Sequence, residues 1–296
     1  MDSVLIQQLA QFVVSGITSG SVYALIALGF CLVQNATGIV NFAQGDFVML
    51  GGLTAVSLFQ DWGLPLPFAF VLAMAFTALV GLALEGGPLR HARNREVLVL
   101  VMITVGASIS LRGAGMLAWG KNVHTLPAMG GDAPFIVLSA AVLPQTLWVI
   151  GISLAVLCLL FLFYRHTLVG KAMRAVADNP YGAALVGISV RRLVALAFAL
   201  AGAVGALAGV LITPLTTMSY STGLMLGLKG FAGAILGGYG STLGAVVGGY
   251  LLGLLESLGA GFVSSAYKDA FAFLILLGIL FVRPAGLFGS ERVRRL

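Results

Sequence analysis

Long apolar stretches recur along the whole chain, and they decide what it can fold into. Apolar windows of about 18 to 20 residues are long enough for a helix rising 1.5 Å per residue to cross a hydrocarbon core of about 30 Å. We predict nine such segments, which leave no room for a soluble domain: 4–33, 38–59, 66–84, 97–119, 142–164, 193–212, 223–238, 243–258 and 270–282.

The composition agrees with a membrane protein. The chain is 59% hydrophobic and only 9% charged, whereas about a quarter of the residues are charged in ordinary soluble domains. We therefore predict an all-α, polytopic membrane helix bundle with about eight to nine membrane segments in a single domain, 1–296. The net charge of +6 does not indicate nucleic-acid binding, because most of the basic residues lie in the loops between apolar segments.

Twelve of the sixteen basic residues fall in three intervals, which the positive-inside rule assigns to the cytoplasm. They are Arg90, Arg93 and Arg95; Arg165, Lys171, Arg174, Arg191 and Arg192; and Arg283, Arg292, Arg294 and Arg295. The interval around Asp61 and the interval 213–222 contain no Lys or Arg, and 120–141 contains only Lys121. The N-terminus is therefore predicted outside and the C-terminus in the cytoplasm, with nine spans, or seven if 223–258 is re-entrant.

Glycines recur at four-residue spacing, which creates small helix faces that let backbones approach closely in lipid. The pairs and runs are Gly16 with Gly20, Gly205 with Gly209, Gly233 with Gly237, Gly240 with Gly244 and Gly248, and Gly249 with Gly253. We expect most of them to pack helices within this chain, and some to face a second membrane subunit.

Two stretches are predicted to interrupt the helices at membrane depth, 34–46 and 227–241. Irregular backbone at that depth is tolerated against protein or water, so paired interruptions indicate a substrate path; the alternatives are a plain turn and close packing. The candidate path residues are Asn35, Asn41, Phe42, Gln44, Asp46 and Lys229.

Ionisable residues in or near the spans are a second signal, because burying a charge in lipid is costly. They are Asp46, Glu85, Arg112, Lys229, Glu256 and Asp269. We expect Asp46 to face a cavity, and Lys229 to pair with Glu256.

The longest polar interval, 165–192, holds five of the sixteen Lys and Arg residues, and we call it the platform. It predicts a helix over 170–178 and a second one with Asn179 as N-cap, Pro180 at the first position and Gly187 past its end. Both helices carry small apolar side chains on one face. Such faces indicate either helices that dock into a groove on a partner or helices that lie flat at the lipid headgroups. These side chains are Ala172, Ala175 and Val176 on the first helix and Ala183, Ala184 and Val186 on the second.

Motifs for chemistry are weak. Residues 115–122, GMLAWGKN, approach the phosphate-binding pattern G-x-x-x-x-G-K-[ST] but end in Asn and close a membrane helix. His91, His124 and His166 are scattered over different loops, without ligands at metal spacing. The chain is therefore predicted to be neither an enzyme nor a cofactor-binding protein.

Four stretches together resemble a known family in the right order along the chain. They are 21–52 (SVYALIALGFCLVQNATGIVNFAQGDFVMLGG), 174–188 (RAVADNPYGAALVGI), the glycine-rich 227–249 and 282–289 (VRPAGLFG). They resemble the permeases of branched-chain amino acid ABC transporters, of the LivH type.

The resemblance implies a permease subunit of an ATP-driven importer in the bacterial inner (plasma) membrane. Its implied partners are a second, LivM-like permease, two cytoplasmic ATPases that bind ATP and Mg, and an extracytoplasmic substrate-binding protein. The residues it implies for ATPase coupling are Lys171, Ala172, Arg174, Ala175, Asp178, Asn179, Pro180, Ala183, Ala184 and Gly187.

The resemblance leaves the cargo open. The family usually reads N-F-A-H-G followed by Glu or Asp, whereas this chain has Gln44 in place of the His. Branched-chain or other small amino acids are the expected cargo, with urea or short amides as an alternative for the same architecture. An ATP-independent secondary carrier or facilitator is the alternative of another class.

Overall fold

The computed structural model describes residues 2–93, 96–131, 133–137, 140–283 and 285–289. Of the basic residues assigned to the cytoplasm, Arg95, Arg292, Arg294 and Arg295 lie outside the described residues. The helices are α1 (Asp2–Thr37), α2 (Gln44–Gln60), α3 (Leu66–Leu84), α4 (Val97–Trp119), α5 (Pro144–His166), α6 (Leu168–Asp178), α7 (Pro180–Leu185), α8 (Val190–Thr216), α9 (Thr222–Gly237), α10 (Thr242–Phe262) and α11 (Lys268–Val282). A π-helical turn, Glu85–Leu89, prolongs α3, and a short 3₁₀ turn, Ser265–Tyr267, precedes α11.

Each of the nine predicted segments coincides with one of these helices, which confirms the all-α polytopic bundle. Within the described ranges, seven helices are long and apolar enough to cross a membrane. One of the seven, Ser265–Val282, reaches 18 residues only with the 3₁₀ turn that precedes α11, which itself has 15. The other two, α2 and α9, have 17 and 16 residues and are shorter than a typical span.

The core forms around α1, which packs against α8, α9 and α10, while α2 packs against α3, α8 and α9. The outer helices α3, α4, α5 and α11 keep large apolar side chains on the surface, including Phe68, Leu98, Leu159 and Phe281. Since lipid tails are as apolar as these side chains, their exposure is ordinary for a membrane bundle.

Glycine faces bring the central helices into contact, as predicted. Gly20 and Gly253 place the backbones of α1 and α10 together, and Gly237 and Gly244 do so for α9 and α10. A Cβ added at Gly209 would overlap the carbonyl oxygen of Val48, so α8 lies directly on α2. These glycines pack helices within this chain.

The predicted interruption at 227–241 is wrong over most of its length. Helix α9 continues to Gly237, and the chain turns only between Gly238 and Gly240, which have φ angles of +106° and +98°. Its glycines are accommodated because each lies against a neighbouring helix, for example Gly227 against Gly45 of α2. Close packing, the alternative considered for this stretch, is what the structure has.

The sequence did not predict the small β-hairpin before α5. Strands β1 (Phe135–Val137) and β2 (Ala140–Val142) pair antiparallel, with Phe135 opposite Val142. The side chain of Gln11 binds the backbone N–H and carbonyl of Ala141 at 2.9 and 3.2 Å, which fastens the hairpin to the start of α1.

Candidate functional site

The three basic intervals meet at one end of the bundle, which we call the basic end. A cavity of about 1500 Å³ opens there, and its lining includes Arg90 from the first interval, Arg174 and Arg191 from the second, and Gly289 after α11. Glu85, one of the ionisable residues noted in the sequence, also lines this cavity. The intervals assigned to one side of the membrane therefore lie on one side of the molecule.

The first predicted interruption, 34–46, is present over 38–43 only, whereas 34–37 and 44–46 are helical. Helix α1 ends at Thr37, Gly38 adopts a φ of +75°, and the chain folds back so that α2 begins at Gln44. A side-chain bond satisfies part of this non-helical backbone, because the Asn41 Oδ1 accepts from the Ala43 N–H at 3.1 Å. We call residues 38–43 the break.

Gln44 lies at the contact of three helices and not on an open surface. Its Nε2 donates to the carbonyl oxygen of Ala201 in α8 at 3.0 Å, and its amide lies against Gly29 of α1 and Gly205 of α8. The side chain is fully buried. In this structure Gln44 therefore holds α1, α2 and α8 in register.

An ion pair links the start of α2 to the middle of α4. Arg112 Nε lies 3.5 Å from Asp46 Oδ1, with the Asp46 side chain only 1% exposed and that of Arg112 26% exposed. Arg112 also donates to the Ser108 hydroxyl at 3.3 Å. It lies seven residues before the end of α4 at Trp119, about 10 Å along the helix axis.

Asp46 and Arg112 were each noted in the sequence as ionisable residues, but their spacing did not predict that they form a pair. Their opposite charges within apolar segments were the one available signal. The structure thus adds Arg112 to the candidate path residues.

Phe42 lies in the break, four residues before Asp46 in the sequence. Its backbone N–H donates to the Thr104 hydroxyl of α4 at 3.1 Å, and its ring centroid is 6.0 Å from that of Phe231 in α9. The break and the first turn of α2 are therefore flanked by α4 on one side and α9 on the other.

Lys229 belongs to a different cluster. Its Nζ lies 2.9 Å from Glu256 Oε1 and 2.6 Å from Asp269 Oδ1, and the Tyr23 hydroxyl donates to the same Glu256 oxygen at 3.1 Å. The predicted Lys229–Glu256 pair is thus confirmed. Because α9 is continuous here, Lys229 is directed toward α10 and α11, and the structure does not bring it to Asp46.

Asn35 is also separate from Asp46. It lies in the last turns of α1, where it lines the cavity of the basic end. The candidate path residues therefore divide into a basic-end group, a central group around Asp46, and the cluster of Lys229.

The platform forms two capped helices. Thr167 caps α6 by accepting from the Gly170 N–H at 2.9 Å, so the helix begins at Leu168, two residues before the predicted start. The predicted cap of α7 is present, since Asn179 Oδ1 accepts from the Gly182 N–H at 2.9 Å. Gly187, with a φ of +83°, follows the end of α7 as expected.

The predicted docking faces need correction. Val176 and Ala183 are buried against this chain, with Ala183 only 4% exposed, so neither is available to a partner. Ala172 and Ala175 are half-buried, whereas Ala184 is exposed.

Larger side chains dominate the exposed face of the platform. Leu185 is 89% exposed and Tyr181 84%, and Val186 is exposed beside them. The sequence reasoning missed Leu185 and Tyr181 because a six-residue helix is too short to show an apolar period.

The remaining platform residues are polar or lie at helix ends. Lys171, Arg174 and Asp178 are exposed on α6, and Pro180 begins α7. Arg174, Asp178 and Pro180 also line the cavity of the basic end. The platform therefore forms one wall of that cavity.

The chain is similar in sequence to known transport proteins. LivH, a high-affinity branched-chain amino acid transport system permease protein of Escherichia coli K12, is 33% identical, over 95% of this chain and 96% of LivH. BraD, a permease protein of the same description from Pseudomonas aeruginosa, is 32% identical, over 96% and 97%.

A solved structure of PsaBC from Streptococcus pneumoniae, in complex with a Fab, contains a chain of the same fold. The TM-score is 0.54 at 15% identity, covering 96% of this chain and 97% of that one.

The family model described as "Branched-chain amino acid transport system / permease component" matches residues 12–280. That range includes the break, the Asp46–Arg112 pair, the platform and every helix from α2 to α10 in full. With seven helices able to span a membrane and relatives matched over nearly their whole length, the chain is a multi-pass membrane protein that belongs to the branched-chain amino acid transport system permease family.

Proposed function

We propose that this chain is the membrane-spanning permease subunit of an ATP-driven importer for branched-chain or other small amino acids. The observation that carries the proposal is the exposed surface of the platform. At the basic end it bears the apolar side chains of Tyr181, Leu185 and Val186. Exposed apolar side chains on a short helix suit docking into a groove of a soluble partner. In a permease of this family, that partner is the ATPase.

The assembly contains this chain, a second LivM-like permease, two ATPases that bind ATP and Mg, and an extracytoplasmic substrate-binding protein. The basic end faces the cytoplasm, since Lys and Arg are retained on that side, and the N-terminus faces outward. This orientation places the platform next to the ATPases.

Motion reaches the membrane through α6. This helix packs against α1, α5 and α8, so a displacement of the platform acts on the centre of the bundle. Closure of the ATPase dimer on ATP moves the platform and rocks these helices, which exposes the path alternately to each side. ATP hydrolysis itself takes place on the partner subunits.

The path passes the break and the Asp46–Arg112 pair. Charged residues inside a membrane are costly, and they are retained where they face a pathway or one another. An amino acid is a zwitterion, so a path with one acidic and one basic side chain offers partners for its ammonium and its carboxylate. Urea and short amides are uncharged and would not need such a pair.

The test is purification of the tagged chain in mild detergent from its native membrane, with mass spectrometry of the proteins that accompany it. We expect two ATPases and a second permease, and amino-acid uptake in liposomes that requires ATP. A chain that is recovered alone and moves solute without ATP is a secondary carrier or facilitator, and the proposal is then wrong. If the liposomes take up urea or an amide with ATP, and not amino acids, the proposed architecture is right and the proposed cargo is wrong.

A further inference from the structure

A second, smaller cavity lies beside the platform and adjoins the cavity of the basic end, with which it shares Asn35 and Arg174. It measures about 380 Å³ and lies between α1, α5, α6 and α10. Leu32, Phe161, Met173 and Leu243 form its apolar wall. A volume in this range holds a small organic ligand.

Two arginines line this cavity, Arg165 at the end of α5 and Arg174 on α6. The guanidinium of Arg165 lies 6.0 Å from the centre of the Phe161 ring, a cation–π geometry that holds it beside the apolar wall. Among the described residues that line the cavity there is no Asp or Glu, and neither arginine has a salt bridge to a described residue. The cavity therefore favours an anion attached to an apolar body.

The surroundings place this cavity at the lipid surface. Leu159 and Leu162 on α5 are exposed just before Arg165, and Leu168 at the start of α6 is exposed just after it. Apolar side chains followed within two turns by arginine are typical of a helix leaving the hydrocarbon core at the headgroups. Basic pockets between membrane helices at this level suit the heads of anionic lipids.

We propose that this cavity is a binding site for an anionic phospholipid of the cytoplasmic leaflet. The headgroup phosphate accepts hydrogen bonds from Arg165 and Arg174, and the first carbons of the acyl chains lie against Leu32, Phe161 and Leu243. Arginine suits this role because its planar donors match the oxygens of a phosphate.

A lipid bound there joins the platform to the bundle. Arg165 belongs to α5 and Arg174 to α6, so one phosphate bridges a membrane helix and the helix that follows it into the platform. The bound lipid holds α6 in its observed position, independently of which solute is transported.

The experiment measures thermal unfolding of the full chain in detergent, with added phosphatidylglycerol or phosphatidylcholine of identical acyl chains. We expect phosphatidylglycerol to raise the Tm by at least about 2 °C more than phosphatidylcholine does. Native mass spectrometry should show the corresponding adduct. Arg165→Gln and Arg174→Gln should each lower the affinity for phosphatidylglycerol by about tenfold, which corresponds to the loss of one charged hydrogen-bonding group.

Two further variants separate the site from general surface charge and from misfolding. Arg283→Gln removes an exposed arginine after α11, outside the cavity lining, and should leave the lipid effect intact. Ala36→Phe fills the cavity from α1 without changing any charge, and should abolish the difference between the lipids.

Four results overturn the proposal. They are equal effects of the two lipids, an equal loss in Arg283→Gln, an equal rise in Tm with inorganic phosphate alone, and a disulfide from Leu243→Cys to a second membrane subunit. The third result assigns the site to a free anion, and the fourth assigns this face to a protein partner.

Discussion

At the scale of single residues, two buried charge clusters distinguish this bundle from a purely apolar one. The Asp46–Arg112 pair joins α2 to α4, and the Lys229–Glu256 pair joins α9 to α10. The first has a partly exposed arginine, whereas both side chains of the second are almost completely buried. We therefore expect the first pair to act in transport and the second in stability.

Asp46→Asn and Arg112→Gln should each lower amino-acid uptake by about tenfold or more, equivalent to about 1.4 kcal/mol. Each variant leaves one charge without its partner inside the membrane, so the amount of folded protein must be measured alongside uptake. The double variant removes both charges and should recover the folded level without recovering uptake. Lys121→Gln, in an exposed loop, is the control; full uptake by the double variant would show that the pair is structural only.

Lys229→Met should destabilise the bundle by about 3 kcal/mol, because it leaves the Glu256 carboxylate buried with weaker partners. Adding Glu256→Gln to Lys229→Met should restore most of the loss, as measured by thermal unfolding in detergent. Lys268→Gln changes a half-exposed side chain at 3.4 Å from the same carboxylate and should cost less than about 1 kcal/mol. Equal losses from the Lys229 and Lys268 variants would contradict this assignment.

The sequence predicted the Lys229–Glu256 pair because two opposite charges near the same end of adjacent segments have few other partners. It could not predict the Asp46–Arg112 pair, since the contact between α4 and α2 joins residues 66 positions apart in the chain and leaves no pattern in the local sequence. The same limit explains Gln44: its place in the sequence indicated a path, whereas its environment is a contact of three helices.

At the scale of helices, glycine decides which backbones meet. The spacing of glycines predicted small faces, and the structure shows which helix each face contacts. Sequence alone could not separate a glycine that breaks a helix from one that packs it, so 227–237 was wrongly interpreted as an interruption. The caps of α7 were predicted correctly because capping depends on nearby residues only.

Gly209→Ala should lower the thermal stability of the bundle, because the added Cβ overlaps the carbonyl oxygen of Val48 and forces α8 away from α2. The expected cost is about 1–3 kcal/mol, typical of overpacking. Gly106→Ala in α4 meets nothing within 4 Å and is the matched control. Thermal unfolding of the two variants side by side checks this, and equal Tm values would refute the packing argument.

Leu185→Glu should abolish recovery of the ATPases with the chain while leaving its thermal stability within about 0.5 kcal/mol, because the side chain is 89% exposed. Ala183→Glu, by contrast, places a charge at a buried position of the same helix and should destabilise the chain itself. If the Leu185→Glu variant recovers the ATPases at the normal level, the docking surface does not include Leu185.

At the scale of the whole molecule, the distribution of positive charge predicted a real geometric property. Three intervals far apart in sequence converge on one cavity at the basic end. The pattern works because each apolar helix carries the chain to the opposite end, so charges in alternate loops return to the same side. The count of crossings is harder to predict, since α2 and α9 are too short for length alone to decide.

The orientation can be tested by thiol labelling of intact cells in a Cys158→Ser background, where the remaining Cys31 is buried. Cysteine at Val123, exposed in the loop after α4, should react with a membrane-impermeant reagent. Cysteine at Arg283, exposed after α11 and outside the platform, should react only after the membrane is opened. The reverse pattern would invert the proposed topology.

The helix at the centre of the bundle is synthesised long before the helix against which it packs. Helix α1 leaves the ribosome first, yet it packs most extensively against α10, which begins at Thr242. Roughly 200 residues separate the two, so at about 5–20 residues per second α1 waits on the order of 10–40 s for its neighbour. During that time Gly16 and Gly20 face lipid or an insertion factor. The first helix of the centre is thus made long before its neighbours, and the final third of translation completes the centre.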